Sequence, residues 1–335
     1  MTLLAPAAAA ARLHGARPEA VIAAIQERAA RRRAGDPRAD GRKIALVIEG
    51  GAMRAVCSAG GAAALAHMVL SDVFDEVYAT SAGAMNASYF LSHQPSSGIR
   101  VYFENCTTRA FLNPLRFWKV LDVDYIFDYV VTVEKPLDVQ RVMSSRSTLY
   151  VAVADRHTGE GRLIDTRTSN APLLAVLKAA TAIPVLYNRS VMIEGRPSVD
   201  GGMAIPFPLE QALSNGCTDV MVLLTRSADH VSVPPNSASR WMFDALCGRG
   251  AAGLNRAFAT RHERANAARA LALGRTPAPN GARIATLCPD APEAIGRTTS
   301  DPAALRAAAT RYGRAMLRAF GVDAPSWDVS MLSDG

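Results

Sequence analysis

Three short stretches of this chain carry residues whose types and spacing could do acyl-transfer chemistry. In Ala79-Thr80-Ser81-Ala82-Gly83 a serine stands among small residues, behind the apolar run FDEVYA and ahead of a helix-forming segment. A serine on a tight strand-to-helix turn has an exposed hydroxyl and a strained conformation that bulky neighbours would block. A serine capping the following helix reads from the same residues. In Glu49-Gly50-Gly51-Ala52-Met53-Arg54-Ala55, successive small residues lie between a strand and a helix. Backbone N–H groups there can converge on an anion or an oxyanion, and a plain turn is the alternative. In Ser198-Val199-Asp200-Gly201-Gly202 a carboxylate precedes two glycines at a strand end. It is either aimed across the top of a sheet or part of a common Asp-Gly turn. Conjunction favours chemistry, because all three stretches fall where strands end, the rim at which open α/β sheets bind ligands.

The elements that must position these residues alternate along the chain. KIALVIE, FDEVYA, STLYVAVAD, SVMIEG and TDVMVLLT read as strands. Helices are expected over residues 56–70 and 82–91, over APLLAVLKAATA up to Pro184, and over PLEQALSNG with Gly216 as its cap. Such alternation predicts a largely parallel sheet covered by helices on both sides. Upstream, PEAVIAAIQERAARRR predicts a helix with Pro18 in its first turn, Val21, Ile22 and Ile25 on one face, and arginines at its C-terminal end. Residues 34–42 read as a polar linker. After Ser227 the pattern weakens into the loop HVSVPPNSAS and arginine- and alanine-rich helix, with one strand candidate, ARIATLC. The expected division is a helical N-terminal extension and linker over 1–42, a main domain over 43–227, and a mostly helical C-terminal region over 228–335 packing on it.

Composition narrows the function classes. The 335 residues are 49% hydrophobic, yet no apolar run approaches the roughly 18 residues of a spanning helix. The apolar N-terminal stretch precedes its positive charges, the wrong order for a secretory signal, and Glu19 and Glu27 count against a transit peptide. Cys57, Cys106, Cys217, Cys247 and Cys288 are far apart and show no metal-site spacing, so no metal, no cofactor and a reducing cytoplasm are expected. The net charge of +7 lies largely in alanine-rich segments rather than among aromatics, which argues against a nucleic-acid surface. The surplus reads either as a solvated face or as a weak peripheral attraction to anionic membrane. The segment from Phe111 to Trp118 reads as a lid or docking surface, or as ordinary core. Nothing in the sequence bears on oligomeric state.

The motifs VIEGGAMRAVCSAG, FDEVYATSAGAMNASYFLS, LDVDYIFD, PLDVQRVM and GRPSVDGGMAIPFPLEQALSNG, in that order, resemble the patatin-like phospholipase family, in its bacterial branch. The resemblance runs from about Ile44 to Thr225, and more faintly around ARIATLCPDAPEAIGR. It implies a three-layer α/β/α fold with a mainly parallel central sheet, here with helical extensions, and a lipid acyl hydrolase that uses a serine–aspartate dyad without histidine. By this resemblance Ser81 is the nucleophile, Asp200 its base, and the N–H groups of Gly50, Gly51 and Ala52 the oxyanion hole. Arg54, Gly83, Gly201 and Gly202 fill supporting positions, and the partner is a lipid or other acyl ester. An aspartate of ordinary pKa is a poor base for serine, so burial has to raise it. Of His14, His67, His93, His157, His230 and His262, only His157, His230 and His262 lie far enough after Ser81 for a conventional triad order, and His230 is the best rim candidate among them. The chain departs from the family at Ala52, Ala55 and Ala79, which stand where glycines are usual. A weak or inactive lipid-binding or regulatory relative therefore stays open beside the hydrolase.

Overall fold

The computed structural model of the chain describes residues 13–35, 40–116, 119–248, 250–289 and 295–335. A nine-stranded sheet runs through the molecule in the order β1-β9-β8-β2-β3-β4-β7-β6, with β5 paired to β4. The strands are β1 (Leu13–His14), β2 (Ile44–Ile48), β3 (Glu76–Thr80), β4 (Thr148–Asp155), β5 (Gly161–Asp165), β6 (Val191–Ile193), β7 (Arg196–Asp200), β8 (Asp219–Leu223) and β9 (Arg283–Leu287). The five central strands, β9, β8, β2, β3 and β4, are parallel, and β1, β5, β6 and β7 add antiparallel pairings around them. β2, β3 and β8 are buried along their whole length, which is why β2 and the part of β8 after Asp219 read as unbroken apolar runs rather than alternating ones.

Side chains alternate across this sheet into two apolar layers. Ile44, Leu46 and Ile48 of β2 face a large cluster with helix α1 (Pro18–Arg33), helix α2 (Val56–His67) and helix α3 (Ala82–Leu91). Ala45 and Val47 face a second cluster with the Leu209–Ser214 and Ala252–Ala272 helices. The result is a three-layer α/β/α fold with a mainly parallel central sheet. α1 and α3 occupy the expected ranges, while α2 ends at His67 rather than Leu70, with Val69 in left-handed backbone just beyond. α1 is tied down by Arg28, buried at 2% exposure, which pairs with Asp40 at 2.7 Å and also with Asp75. The C-terminal Pro302–Ala319 helix packs so closely on α2 that a Cβ at Gly60 would stand 2.2 Å from the Ala309 carbonyl oxygen.

The SVMIEG stretch is not one strand. It is β6 plus a two-residue turn, Glu194-Gly195, with φ of 51° and 75°, which folds the chain back into β7. Two residues at positive φ match the twist of a tight hairpin. Pro197 masks β7 in the sequence, yet it is tolerated near the edge of the sheet.

Candidate active site

Ser81 stands on the turn between β3 and α3 with φ 56° and ψ −139°, a region that side-chain-bearing residues rarely occupy. Such strain costs of order 1–3 kcal/mol and persists only where surrounding packing enforces it. Two glycines supply that enforcement. A Cβ at Gly50 would lie 2.4 Å from the Thr80 carbonyl oxygen and 2.5 Å from Ser81 Cβ, and one at Gly83 would lie 2.6 Å from the Ile48 carbonyl oxygen. The glycine-rich loop and the serine turn thus interlock backbone to backbone. The Ser81 side chain makes no helix-capping bond; its Oγ donates to Asp200 Oδ2 at 2.6 Å.

The register of β4 explains how a residue 119 positions away reaches Ser81. β5 occupies one edge of β4, pairing with residues 150–154. On the other edge β3 runs up to Thr80 opposite Ala152, and β7 runs down to Asp200 opposite Val153. The two strands therefore meet end to end along β4, and their last residues face neighbouring positions. Gly201 completes the junction, because a Cβ there would sit 2.4 Å from the Ala152 carbonyl. Gly202 donates its N–H to Asp200 Oδ1 at 2.7 Å, which leaves Oδ2 for Ser81. Asp200 is 4% exposed, and burial pushes its carboxyl above the ordinary carboxylate range. The bonds from Ser81 and Gly202 and the charges of Arg261 and Arg297 oppose that shift.

The glycine-rich loop is held from three sides that the sequence reading did not single out. Thr225, just past the end of β8, bonds through Oγ1 to the Gly50 carbonyl at 2.9 Å and to Glu49 Oε2 at 3.0 Å. Ser58 Oγ lies 3.0 Å from both the Glu49 and Ala55 carbonyl oxygens, within reach of its one proton, and Asn86 Nδ2 donates to the Ala55 carbonyl at 2.9 Å. Among the described residues, no acceptor takes the N–H of Gly50, Gly51 or Ala52, and all three residues line the cavity over Ser81. The three alanines differ sharply. Ala52 has φ +52°, Ala55 has φ −64°, and Ala79 lies inside β3 and is absent from the positive-φ positions. Only Ala52 carries the left-handed strain that a glycine would avoid.

Ser81 separates two unlike cavities. One, of about 80 Å³, is lined by apolar groups including Met85, Val101, Phe111, Ile126 and Phe127. The other, of about 110 Å³, holds Asp200, Glu49, His230 and the arginines Arg54, Arg226, Arg261, Arg269 and Arg297. Ala52, Ser81 and Ile183 line both. His230 lies 3.4 Å from Arg226 Nη1 and from Ser232 Oγ, and its described bonds do not include Ser81. Burial, with Arg226 and Arg269 nearby, pulls its pKa down to about 4, so it is neutral at physiological pH. Of the other histidines, His67 stacks edge-on against Trp327, His93 meets Asp72 at 3.2 Å, and His157 and His262 bond backbone carbonyls. Phe111 is buried as a wall of the apolar cavity while Leu115 is exposed, and Phe117 and Trp118 lie outside the described residues. The five cysteines are buried and unbridged, and no group of three potential metal ligands occurs among the described residues. No described helix is long and apolar enough to cross a membrane.

A family model described as Patatin-like phospholipase matches residues 46–213. The uncharacterized protein YjjU of Escherichia coli (strain K12) is 29% identical over 210 residues, which cover 60% of this chain and 58% of that protein. The crystal structure of VipD from Legionella pneumophila aligns with a TM-score of 0.38 at 15% identity, covering 54% of this chain and 49% of that one. The match thus spans less than two thirds of the length of either protein.

Proposed function

The chain belongs to the patatin-like phospholipase family, in general one of lipid acyl hydrolases, and from that premise we propose a serine ester hydrolase working through a Ser81–Asp200 dyad. The observation that carries this reading is the 2.6 Å Ser81–Asp200 hydrogen bond on a strained turn beside loop amides that no described acceptor takes. In the proposed cycle Asp200 takes the Ser81 proton as Oγ attacks the ester carbonyl, and the N–H groups of Gly50, Gly51 and Ala52 hold the oxyanion. The protonated carboxyl then gives its proton to the departing alcohol. Asp200 next deprotonates a water that attacks the acyl-enzyme, and Ser81 recovers its proton as the fatty acid leaves. Burial suits Asp200 to this cycle by raising its basicity. The apolar cavity is the place for the acyl chain. Residues 43–227 form the catalytic unit in this reading, with 1–42 and 228–335 as extensions. Contact with the substrate's membrane would be peripheral and cytoplasmic.

The alternative, a non-hydrolytic lipid-binding relative, is supported only by the positive φ of Ala52. Alanine keeps its N–H, so the donor survives there. Hydrolysis of p-nitrophenyl butyrate decides between the two. The wild type is expected to turn it over, and Ser81→Ala to lose on the order of 10⁴-fold or more. Full activity in Ser81→Ala would remove the dyad.

A further inference from the structure

The cavity on the polar side of Ser81 has more positive charge than the fold uses. Five arginines line it against two carboxylates, Glu49 and Asp200. Glu49 is already engaged by Thr225, and Asp200 by Ser81 and Gly202. Arg269 reaches Glu49 only at 3.9 Å; among the described residues Arg54, Arg226, Arg261 and Arg297 have no acidic partner within ion-pair distance. Arg269 is 3% exposed and its Nη2 donates to the Arg226 and Ser227 carbonyls, yet among the described residues its Nε and Nη1 make no hydrogen bond, and neither does the buried Nε of Arg54. Buried charge is normally paired. Here four of the five arginines lack an acidic partner among the described residues, and burial together with the neighbouring guanidinium groups pulls Arg54 and Arg261 down to about 10. An anion in this cavity would supply what the chain lacks.

Guanidinium forks match phosphate oxygens in pairs, and a phosphomonoester carries roughly −1.5 to −2 charge at neutral pH. The same wall opposes a head group that ends in an ammonium, because no carboxylate in it is free to pair with one. We propose that Arg226, Arg261, Arg269 and Arg297, with Arg54, form a subsite for a terminal phosphate on the acyl ester, making acylglycerol phosphates preferred over choline-bearing or uncharged lipids. The proposal rests on the hydrolase reading of Ser81. It adds that head-group choice lies with four arginines located after residue 213, beyond the part of the chain that the family model matches.

The test compares kcat/KM for 1-acylglycerol 3-phosphate, lysophosphatidylcholine and monoacylglycerol of one acyl chain. Wild type is expected to favour the phosphomonoester at least tenfold over both others, with glycerol 3-phosphate competing against it. Arg226→Gln, Arg261→Gln and Arg297→Gln should each cut the phosphomonoester-to-monoacylglycerol ratio several-fold, and the triple variant at least tenfold. Methionine at the same positions, which removes the charge and keeps an apolar stem, serves wherever glutamine fails to fold. Calorimetric binding of glycerol 3-phosphate and of inorganic phosphate to Ser81→Ala reads the subsite without turnover. Binding of the former that is lost in Arg261→Gln supports the proposal. Equal rates on all three lipids, or binding of inorganic phosphate alone, would overturn it. Turnover of p-nitrophenyl butyrate with no head-group preference sinks this inference and leaves the hydrolase standing; absence of all turnover, with glycerol 3-phosphate still bound, does the reverse.

Discussion

Asp200 is asked to be buried for its chemistry at some cost to the fold. Its carboxyl sits above the ordinary range because burial disfavours the charged form more than Ser81, Gly202 and the nearby arginines restore it. The folded chain therefore holds this proton more tightly than the unfolded chain. The contribution to stability is fully present below the unfolded pKa and is lost as pH rises through the folded one. Asp200→Asn removes that penalty. Thermal melts should show the variant more stable than wild type at pH 7–8, with the gain shrinking as pH falls through the raised folded pKa and gone below about 4, while ester hydrolysis drops on the order of 10⁴-fold. A variant less stable at neutral pH would mean that the ionised carboxylate is held favourably, against the direction given by its burial. The serine and aspartate were readable as motif residues before any fold was known. Their shared hydrogen bond was not, since it spans 119 positions and depends on how two strands meet.

At the scale of elements, β4 aligns the ends of β3 and β7, and the interlocked glycine-rich loop fixes the serine turn. β2 and β8 were legible because full burial leaves nearly unbroken apolar runs. β7 was hidden by Pro197 and by a hairpin turn that reads as a strand end, and β5, GRLID, is too short and polar to stand out. The sequence marks Ala52, Ala55 and Ala79 as equal departures from glycine, since a backbone angle is set by tertiary packing and not by residue type. Their angles now separate them. Ala52→Gly should gain about 0.5–1 kcal/mol, the relief of left-handed strain less the entropy of glycine. Ala55→Gly and Ala79→Gly should each lose about 0.5–1 kcal/mol, because both replace alanine in ordinary backbone. Urea denaturation of the three variants checks the order, and a loss at position 52 equal to the others would show that its positive φ carries no strain.

Across the whole molecule, the nucleophile lies between an apolar cavity and a cationic one, and the arginines of the latter reach it from the glycine-rich loop, β8's exit, the Ala252–Ala272 helix and the segment after β9. In the sequence Arg261, Arg269 and Arg297 are part of an arginine-rich tail that reads as a solvated face, and Arg226 merely follows the TDVMVLLT strand. Only the fold, which adds β9 to the sheet beside β8, collects them over Ser81. The net charge of +7 thus has a local destination as well as a diffuse one. The central claim is that this collected site has a working nucleophile. Incubation with a fluorophosphonate probe and peptide mass mapping tests the nucleophile and its oxyanion donors together. A single adduct on Ser81, absent from Ser81→Ala and much slower to form in Asp200→Asn, is the predicted result; an unmodified Ser81 in correctly folded wild-type protein would contradict it.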